Sequence, residues 1–570
     1  MASEPDKKLA CLLCRQRKVA CDRRRPKCGL CAKGGFDCQY KPREHRPGLR
    51  AGYVAQLEKR LEQLERRMDE VVGRLPPEAP REDLGADDGR TLHLQNVRLS
   101  ENMDTESQGT FHTPLFDGPM ENNHHHASPP SQMLEGLEFD FQALWLENYH
   151  SWLPILHNTS IRNAFTDDRL DQLLVRKAIM AVTIWDAPGM AWEQKQLCSQ
   201  RLHKEIILDC IGCSTLRSVQ ALLILSMLHW GKGKWCEYNN LIAMCKRMSQ
   251  GLKLSATAGA TGLQSAASTL NPAESFGTNI EIDHEERLRT FWMIEMIDNV
   301  FALNVEGNIS SCSYPLQPRL PCSDRSWASR APVQEERSFN HLQYSSGFSM
   351  CVHLCTTELE AVRQFQQAAP ESRDIPGSPE WQTTAQRLDE RLTIWREEFV
   401  AAVFRLINAI SSQSRDSRGE MEPFIVLTNC FLNMGVITLL QAHSSMPEGV
   451  SSESEPWAYA NHRCMYACEN MAAKIRRMDE NELKSCSPWL VLAIFVAARF
   501  YIVHTKCLQA DVSVNLHSLA YSLHICSHHW PLAKMFEAVI RTAVAEHRTP
   551  VLESALPMEF YDLHCWCPYT

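Results

Sequence analysis

The stretch Cys11-Leu-Leu-Cys14-Arg-Gln-Arg-Lys-Val-Ala-Cys21-Asp-Arg-Arg-Arg-Pro-Lys-Cys28-Gly-Leu-Cys31-Ala-Lys-Gly-Gly-Phe-Asp-Cys38 decides how the chain is read. One spacing, Cys-x2-Cys-x6-Cys, occurs twice in it. A Cys-x2-Cys pair can set two thiolates on one metal ion, and tetrahedral zinc takes four sulfurs. Two independent zinc ions need eight ligands. Six cysteines are present, and His45 is the one histidine nearby. Two zinc ions sharing two bridging thiolates close the count at six. Disulfides or scattered structural cysteines give no reason for a repeated spacing with basic residues threaded through it.

The residues between the cysteines say what such a scaffold supports. From Lys7 to Arg50 there are fourteen Lys and Arg against Asp22, Asp37 and Glu44, a net charge of +11. The whole chain is formally −9, so the remainder carries −20. A lone basic run is usually a solvated face or an import signal. Here the cations sit inside a metal-pinned module, and that segregation is an electrostatic footprint for nucleic acid.

Cys11 through Cys38, with Arg15-Gln-Arg17-Lys18 between the second and third cysteines, resembles the DNA-binding domain of the fungal binuclear zinc cluster (Zn2Cys6) transcription factors. The resemblance implies two zinc ions on Cys11, Cys14, Cys21, Cys28, Cys31 and Cys38. It also implies a short helix entering the major groove, where Lys18, with Arg17 beside it, reads a CGG triplet. A cation there can donate to guanine O6 and N7, while flanking Arg and Lys hold phosphates. Pro26 fits the proline usual between the two halves of that domain. Ala20 departs from the basic residue often found before the third cysteine. A domain over residues 7–42 is expected, followed by a basic linker at 43–52. The segment Lys41-Pro-Arg43-Glu-His-Arg46-Pro-Gly48 reads as an extended arm along the DNA backbone. Arg15, Arg17, Lys18, Lys41, Arg43 and Arg46 are the candidate DNA contacts.

Val54, Leu57, Leu61, Leu64, Met68 and Val71 then step by three and four, a heptad seam predicting a coiled coil over 53–75. Arg60 and Glu65 fall at g and the following e position, and Gly73 with Pro76-Pro77 stops the helix. About three heptads make a marginal dimer on their own. The other reading of this stripe is an amphipathic helix packed on the body. The order of cluster, linker and coiled coil resembles family members that bind two triplets as homodimers, with the linker setting the spacing. Residues 76–132 are polar and Pro-rich and predict a disordered linker. His124-His-His126 within it reads as a solvated tract rather than a metal site.

The remaining residues, 133–570, predict a large all-α domain. Helical apolar spacing runs through Leu170–Trp185, Leu216–His229, Glu285–Leu303, Trp381–Ile410, Pro423–Gln441 and Trp489–Val503. Loops are expected at Ser255–Thr278, Pro370–Pro379 and Ser444–Pro456. Trp489–Ala498, ten apolar residues before Arg499, is too short to cross a bilayer and predicts a buried helix. No secretory apolar run opens the chain. The seventeen cysteines outside the cluster have no disulfide-like spacing and suit a reducing compartment as small core residues.

Four blocks of this body are similar to the family's regulatory domain. They are Ser151-Trp-Leu-Pro-Ile-Leu-His157, Thr215–Gly233, Arg289-Thr-Phe-Trp292 with Asp298, and Arg319-Leu-Pro321 before Trp327. Arg289 and Asp298 are read as ion-pair or capping partners. Catalytic signatures are missing: no G-x-S-x-G or H-E-x-x-H occurs, and Trp230-Gly-Lys-Gly-Lys-Trp235 lacks phosphate-loop spacing. Two acid–aromatic segments, Leu134–Phe141 and Met558–Trp566, could contact the transcription machinery or coactivators. A helix start and a docked tail are their plainer readings.

The expectation is a nuclear, dimeric, zinc-dependent regulator of a pathway-specific gene set. It has no enzymatic activity and no membrane role, and its small-molecule effector is unknown. A diverged body points to a secondary-metabolite cluster rather than nutrient use. The alternative is a scaffold or corepressor whose zinc cluster does not read DNA.

Overall fold

In the computed structural model, the described residues near the N-terminus are Cys14, Cys21, Asp22, Arg24, residues 27–35 and Cys38. Beyond them the structure describes 139–257, 280–303, 319–323, 326–327, 346–368, 379–411, 423–444 and 455–563. The chain divides into two compact units, Met1–Glu70 and Val71–Thr570. The predicted coiled coil, the 76–132 linker with its histidine tract and most of the three expected loops lie outside the described residues.

In the first unit one short helix, α1 (Gly29–Lys33), starts where Cys28 caps it and its Sγ accepts from Cys31 N–H. In the second unit the first longer helices are α2 (Phe141–Asn148), α3 (Asn158–Thr166), α4 (Leu170–Thr183), α5 (Trp192–Gly212), α6 (Leu216–Gly231), α7 (Trp235–Gly251) and α8 (Ile280–Ala302). They are followed by α9 (Pro379–Ser411), α10 (Pro423–Leu440), α11 (Glu455–Ile475), α12 (Pro488–Cys507), α13 (Val514–Cys526) and α14 (Pro531–Ala545). Among the described residues there is no β-strand. Each of the six predicted helical stretches falls on one of these helices.

Two helices are buried all round, and such helices sit in the middle of a bundle. Every residue of α6 is buried, and Thr215 caps it by accepting from Ser218 N–H. Around α6 pack α4, α5, α7, α12 and α14. Phe424 through Leu440 of α10 are likewise all buried, with α11 and α12 against them. Pro488 and Pro531 stand at the first helical positions of α12 and α14, where a missing N–H costs nothing. Trp145, Trp152, Trp230, Trp292 and Trp489 are fully buried. Each large apolar side chain removed from water stabilises the body by about 1.5–3 kcal/mol.

The ten-residue count for Trp489–Ala498 understates α12, which runs for 20 residues. Its length and hydropathy, and those of α10, would suffice to cross a membrane. Yet 83% of that window of α12 and 94% of that of α10 are buried against the rest of the body. Arg499 does not end the helix. Its guanidinium turns to backbone carbonyls of Phe560 at 3.0 Å and Asp562 at 2.6 Å.

After α6 the chain reverses through Gly231-Lys-Gly233. Gly233 takes φ +67, a left-handed conformation that suits glycine. A Cβ on Gly231 would stand 2.1 Å from the Trp530 ring. The absence of a side chain there is what lets α6 and the start of α14 close together.

Candidate metal centre and regulatory core

Cys14, Cys28, Cys31 and Cys38 are buried together, with Cys21 packed against them. The sulfurs of Cys14, Cys28 and Cys31 all lie within 4.8 Å of one another. Cys14 Sγ and Cys28 Sγ are 3.7 Å apart. Tetrahedral zinc with bonds of ~2.3 Å sets its sulfurs roughly 3.8 Å apart, whereas a disulfide bond is about 2.05 Å. The donor set and its spacing therefore fit zinc. Cys28 also belongs to a second convergent group, with Cys21 and Asp22. One sulfur common to both groups occupies the place a bridging ligand needs.

Backbone groups hold these thiols in position. Cys28 N–H donates to Cys38 Sγ at 3.3 Å, and Cys31 N–H to Cys28 Sγ at 3.4 Å. Asp22 is a residue that sequence reasoning missed. Both its oxygens accept from Gly29 N–H at 3.0 Å, tying the first half of the repeat to the start of α1. A Cβ on Gly29 would meet Asp22 Oδ2 at 2.7 Å, so the pairing needs glycine there. Seven residues separate the two, so no capping signal in the sequence marks the pair.

The other sequence-predicted site residues fall outside the described part of the first unit. These are Cys11, the DNA-contact candidates Arg15, Arg17, Lys18, Lys41, Arg43 and Arg46, and the seam residues Val54, Leu57, Leu61, Leu64, Met68 and Val71.

In the second unit the four family-like blocks meet in one buried polar network. Gln220 Nε2 donates to the Ile155 carbonyl at 2.9 Å and to Thr290 Oγ1 at 3.3 Å. Arg217 pairs with Glu286 at 2.7 Å, and Glu286 accepts from His157 N–H at 2.7 Å. Arg289 pairs with Glu285 at 3.1 Å and donates to the Cys322 carbonyl at 2.8 Å. Its guanidinium lies 4.4 Å from the centroid of the Trp327 ring. Trp292 Nε1 donates to the Arg319 carbonyl at 2.8 Å. Asp298 pairs with Lys246 of α7. Arg289 and Asp298 are thus structural ion-pair partners. A further buried pair, Arg463 with Asp389 at 2.7 Å, joins α11 to α9.

The acid–aromatic segments resolve toward packing in their described parts. Asp140 caps α2 by accepting from Ala143 N–H at 2.9 Å, and Phe141 is buried. At the other end Phe560 and Leu563 are buried, and Arg499 holds the surrounding carbonyls. Buried thiols of the body are held protonated. Burial pushes Cys210 and Cys430 up to about 12, far above the range where a thiolate forms.

A family model described as the fungal Zn(2)-Cys(6) binuclear cluster domain matches residues 9–47, and one described as the fungal specific transcription factor domain matches residues 142–397. The chain belongs to the fungal Zn(2)-Cys(6) transcription factors, and its cluster domain is a zinc-binding one. Over 564 residues, 99% of this chain and 95% of the relative, it is 49% identical to the notoamide biosynthesis cluster transcriptional coactivator notQ' of Aspergillus versicolor. Over 420 residues, 67% of this chain and 78% of the relative, it is 22% identical to the citrinin biosynthesis transcriptional activator mrl3 of Monascus ruber. A third similarity covers 10% of this chain and 9% of the relative, at 45% identity over 60 residues, to the sorbicillinoid biosynthetic cluster transcription factor sor4 of Hypocrea jecorina. No solved structure matches the chain.

Proposed function

We propose that the protein is a nuclear transcriptional regulator, without enzymatic activity, of a secondary-metabolite biosynthetic gene cluster. It binds CGG-type triplets as a homodimer. The observation that carries the reading is the convergence of Cys14, Cys28 and Cys31 at zinc spacing inside a segment of net charge +11. Two zinc ions per chain, on Cys11, Cys14, Cys21, Cys28, Cys31 and Cys38, fold a module at 7–42. Lys18 and Arg17 then read bases, while Arg15, Lys41, Arg43 and Arg46 meet phosphates. Residues 53–75 pair two copies, and the helical body relays a cellular signal to the transcription machinery. The biosynthetic clusters named for the relatives support the choice of gene set.

A second reading has one observation behind it: the relative at 49% identity is named a coactivator. In that reading the chain works beside another DNA-bound protein and its cluster does not select sequence. Quantitative gel shifts of the zinc-loaded protein on paired CGG and scrambled duplexes separate the two. Lys18→Ala should cost about 1–3 kcal/mol on CGG duplexes and narrow the gap to scrambled ones. Equal affinity for every duplex before any mutation would favour the coactivator reading.

A further inference from the structure

Two lysines meet Trp185, and His203, His229 and Lys234 stand near one of them, Lys232. Lys195 of α5 donates to the Trp185 carbonyl at 2.9 Å. The ammonium of Lys232, on the turn after α6, stands 4.0 Å from the centroid of the Trp185 ring. His203 Nδ1 of α5 and His229 Nε2 of α6 are 3.2 Å apart. Lys234 completes the group from the same turn and is exposed. Two carboxylates stand nearby, and neither meets Lys195 or Lys232. Glu237 pairs with Lys234 at 3.7 Å, and Asp186 accepts from Tyr149 at 2.6 Å and lies 3.3 Å from His529. Among the described residues, no carboxylate lies within ion-pair distance of Lys195 or Lys232.

His229 is 7% exposed, and its Nδ1 is buried with no hydrogen-bond partner. A buried polar atom left unmet costs about 1–3 kcal/mol. Burial, His203, Lys232 and Lys234 together hold this imidazole down to about 3. Burial and Lys234 draw the Lys232 amine down to about 8. The negative end of α6 offsets part of this crowding. However, the carbonyls of Leu228, His229 and Trp230 there already accept from the N–H groups of Lys232, Gly233 and Lys234. Two lysines without a carboxylate partner, beside an unmet imidazole nitrogen, are the complement of an anion.

We propose that Lys195, Lys232, Lys234 and the His203–His229 pair bind a small organic oxyanion, a carboxylate or a phosphate ester, on the helical body. The lysines supply charge and the imidazole pair supplies a directional donor. The site goes beyond the DNA reading above and stands or falls without it.

Competitive amine acylation of the full-length, zinc-loaded protein, read residue by residue by mass spectrometry, tests it. Lys232, with its lowered basicity, should label fast near pH 8. Inorganic phosphate and succinate are the two probes, with sodium chloride at matched ionic strength as reference. At four times the dissociation constant, a bound anion should cut Lys232 labelling to about a fifth, with exposed Lys484 unchanged. Protection by one probe alone supports the site and identifies the headgroup. No protection by either, or equal protection by sodium chloride, overturns it. His229→Gln should raise the half-protecting concentration about tenfold. An unchanged concentration would overturn the imidazole pair's part in the site.

Discussion

Two pairs of sulfurs in this molecule sit at nearly the same distance and do different work. Cys14 and Cys28 in the first unit are 3.7 Å apart. Cys486 and Cys526 in the helical body are 3.6 Å apart. Around the first pair other ligands converge: Cys31 on one side, Cys21 and Asp22 on the other. Around the second, among the described residues, no third metal-ligating group closes in. A hydrogen bond with Cys526, followed by burial, keeps the Cys486 thiol well above its usual range. Metal capture depends on ligand number and charge environment, not on one short sulfur contact. The two units also differ in what holds them. In the first, the buried cluster is cysteine alone. In the second, five tryptophans and two helices buried on every side lie in the interior.

That contrast breaks most sharply under chelation. Structural zinc contributes apparent binding energies of about 10–16 kcal/mol in small metal-folded domains. Stripping the metal should unfold residues 7–42 and leave the helical body intact. Hydrogen exchange with and without chelator checks this, and loss of protection in α6 or α10 would contradict it. The next largest effect lies inside the body. Arg463→Ala leaves Asp389 buried without its cation and should cost about 3–5 kcal/mol, read as a lowered thermal midpoint with zinc content unchanged. Gly231→Ala comes third, because the new methyl must displace the Trp530 ring, at about 1–3 kcal/mol.

A pH titration sharpens the comparison with the smallest effect. His229 is held near 3 in the folded body, against about 6.5 in an unfolded chain. Between those values the unfolded chain binds a proton that the folded one refuses, so stability falls as pH drops from about 6.5 toward 3. The groups around it, His203, Lys232 and Lys234, are cationic or neutral, and Glu237 is the nearby acid. His229→Gln should flatten this acid limb in thermal denaturation followed from pH 7 to pH 5. An unchanged slope would show that His229 is not the source.

Much of this was legible from residue order because the physics involved is local. Cysteine spacing states a ligand count, and apolar periodicity states a helix. Hence the six helical stretches and the convergence of Cys14, Cys28 and Cys31 follow from reading along the chain. What was not legible depends on distant partners. Asp22 gains its role from Gly29, and Arg289 from Cys322 and Trp327. The membrane-length hydropathy of α12 was missed because Arg499 interrupts the apolar run, whereas the fold gives its guanidinium carbonyls about sixty residues away. The cations around Trp185 come from α5 and the turn after α6, and no short motif joins them.

The most direct test of the central claim is the zinc content of the purified full-length protein, measured by elemental analysis against its sulfur. The account predicts two zinc ions per chain, lost together when Cys14 is replaced by alanine. A chain that keeps protection in residues 7–42 while holding fewer than two would contradict it.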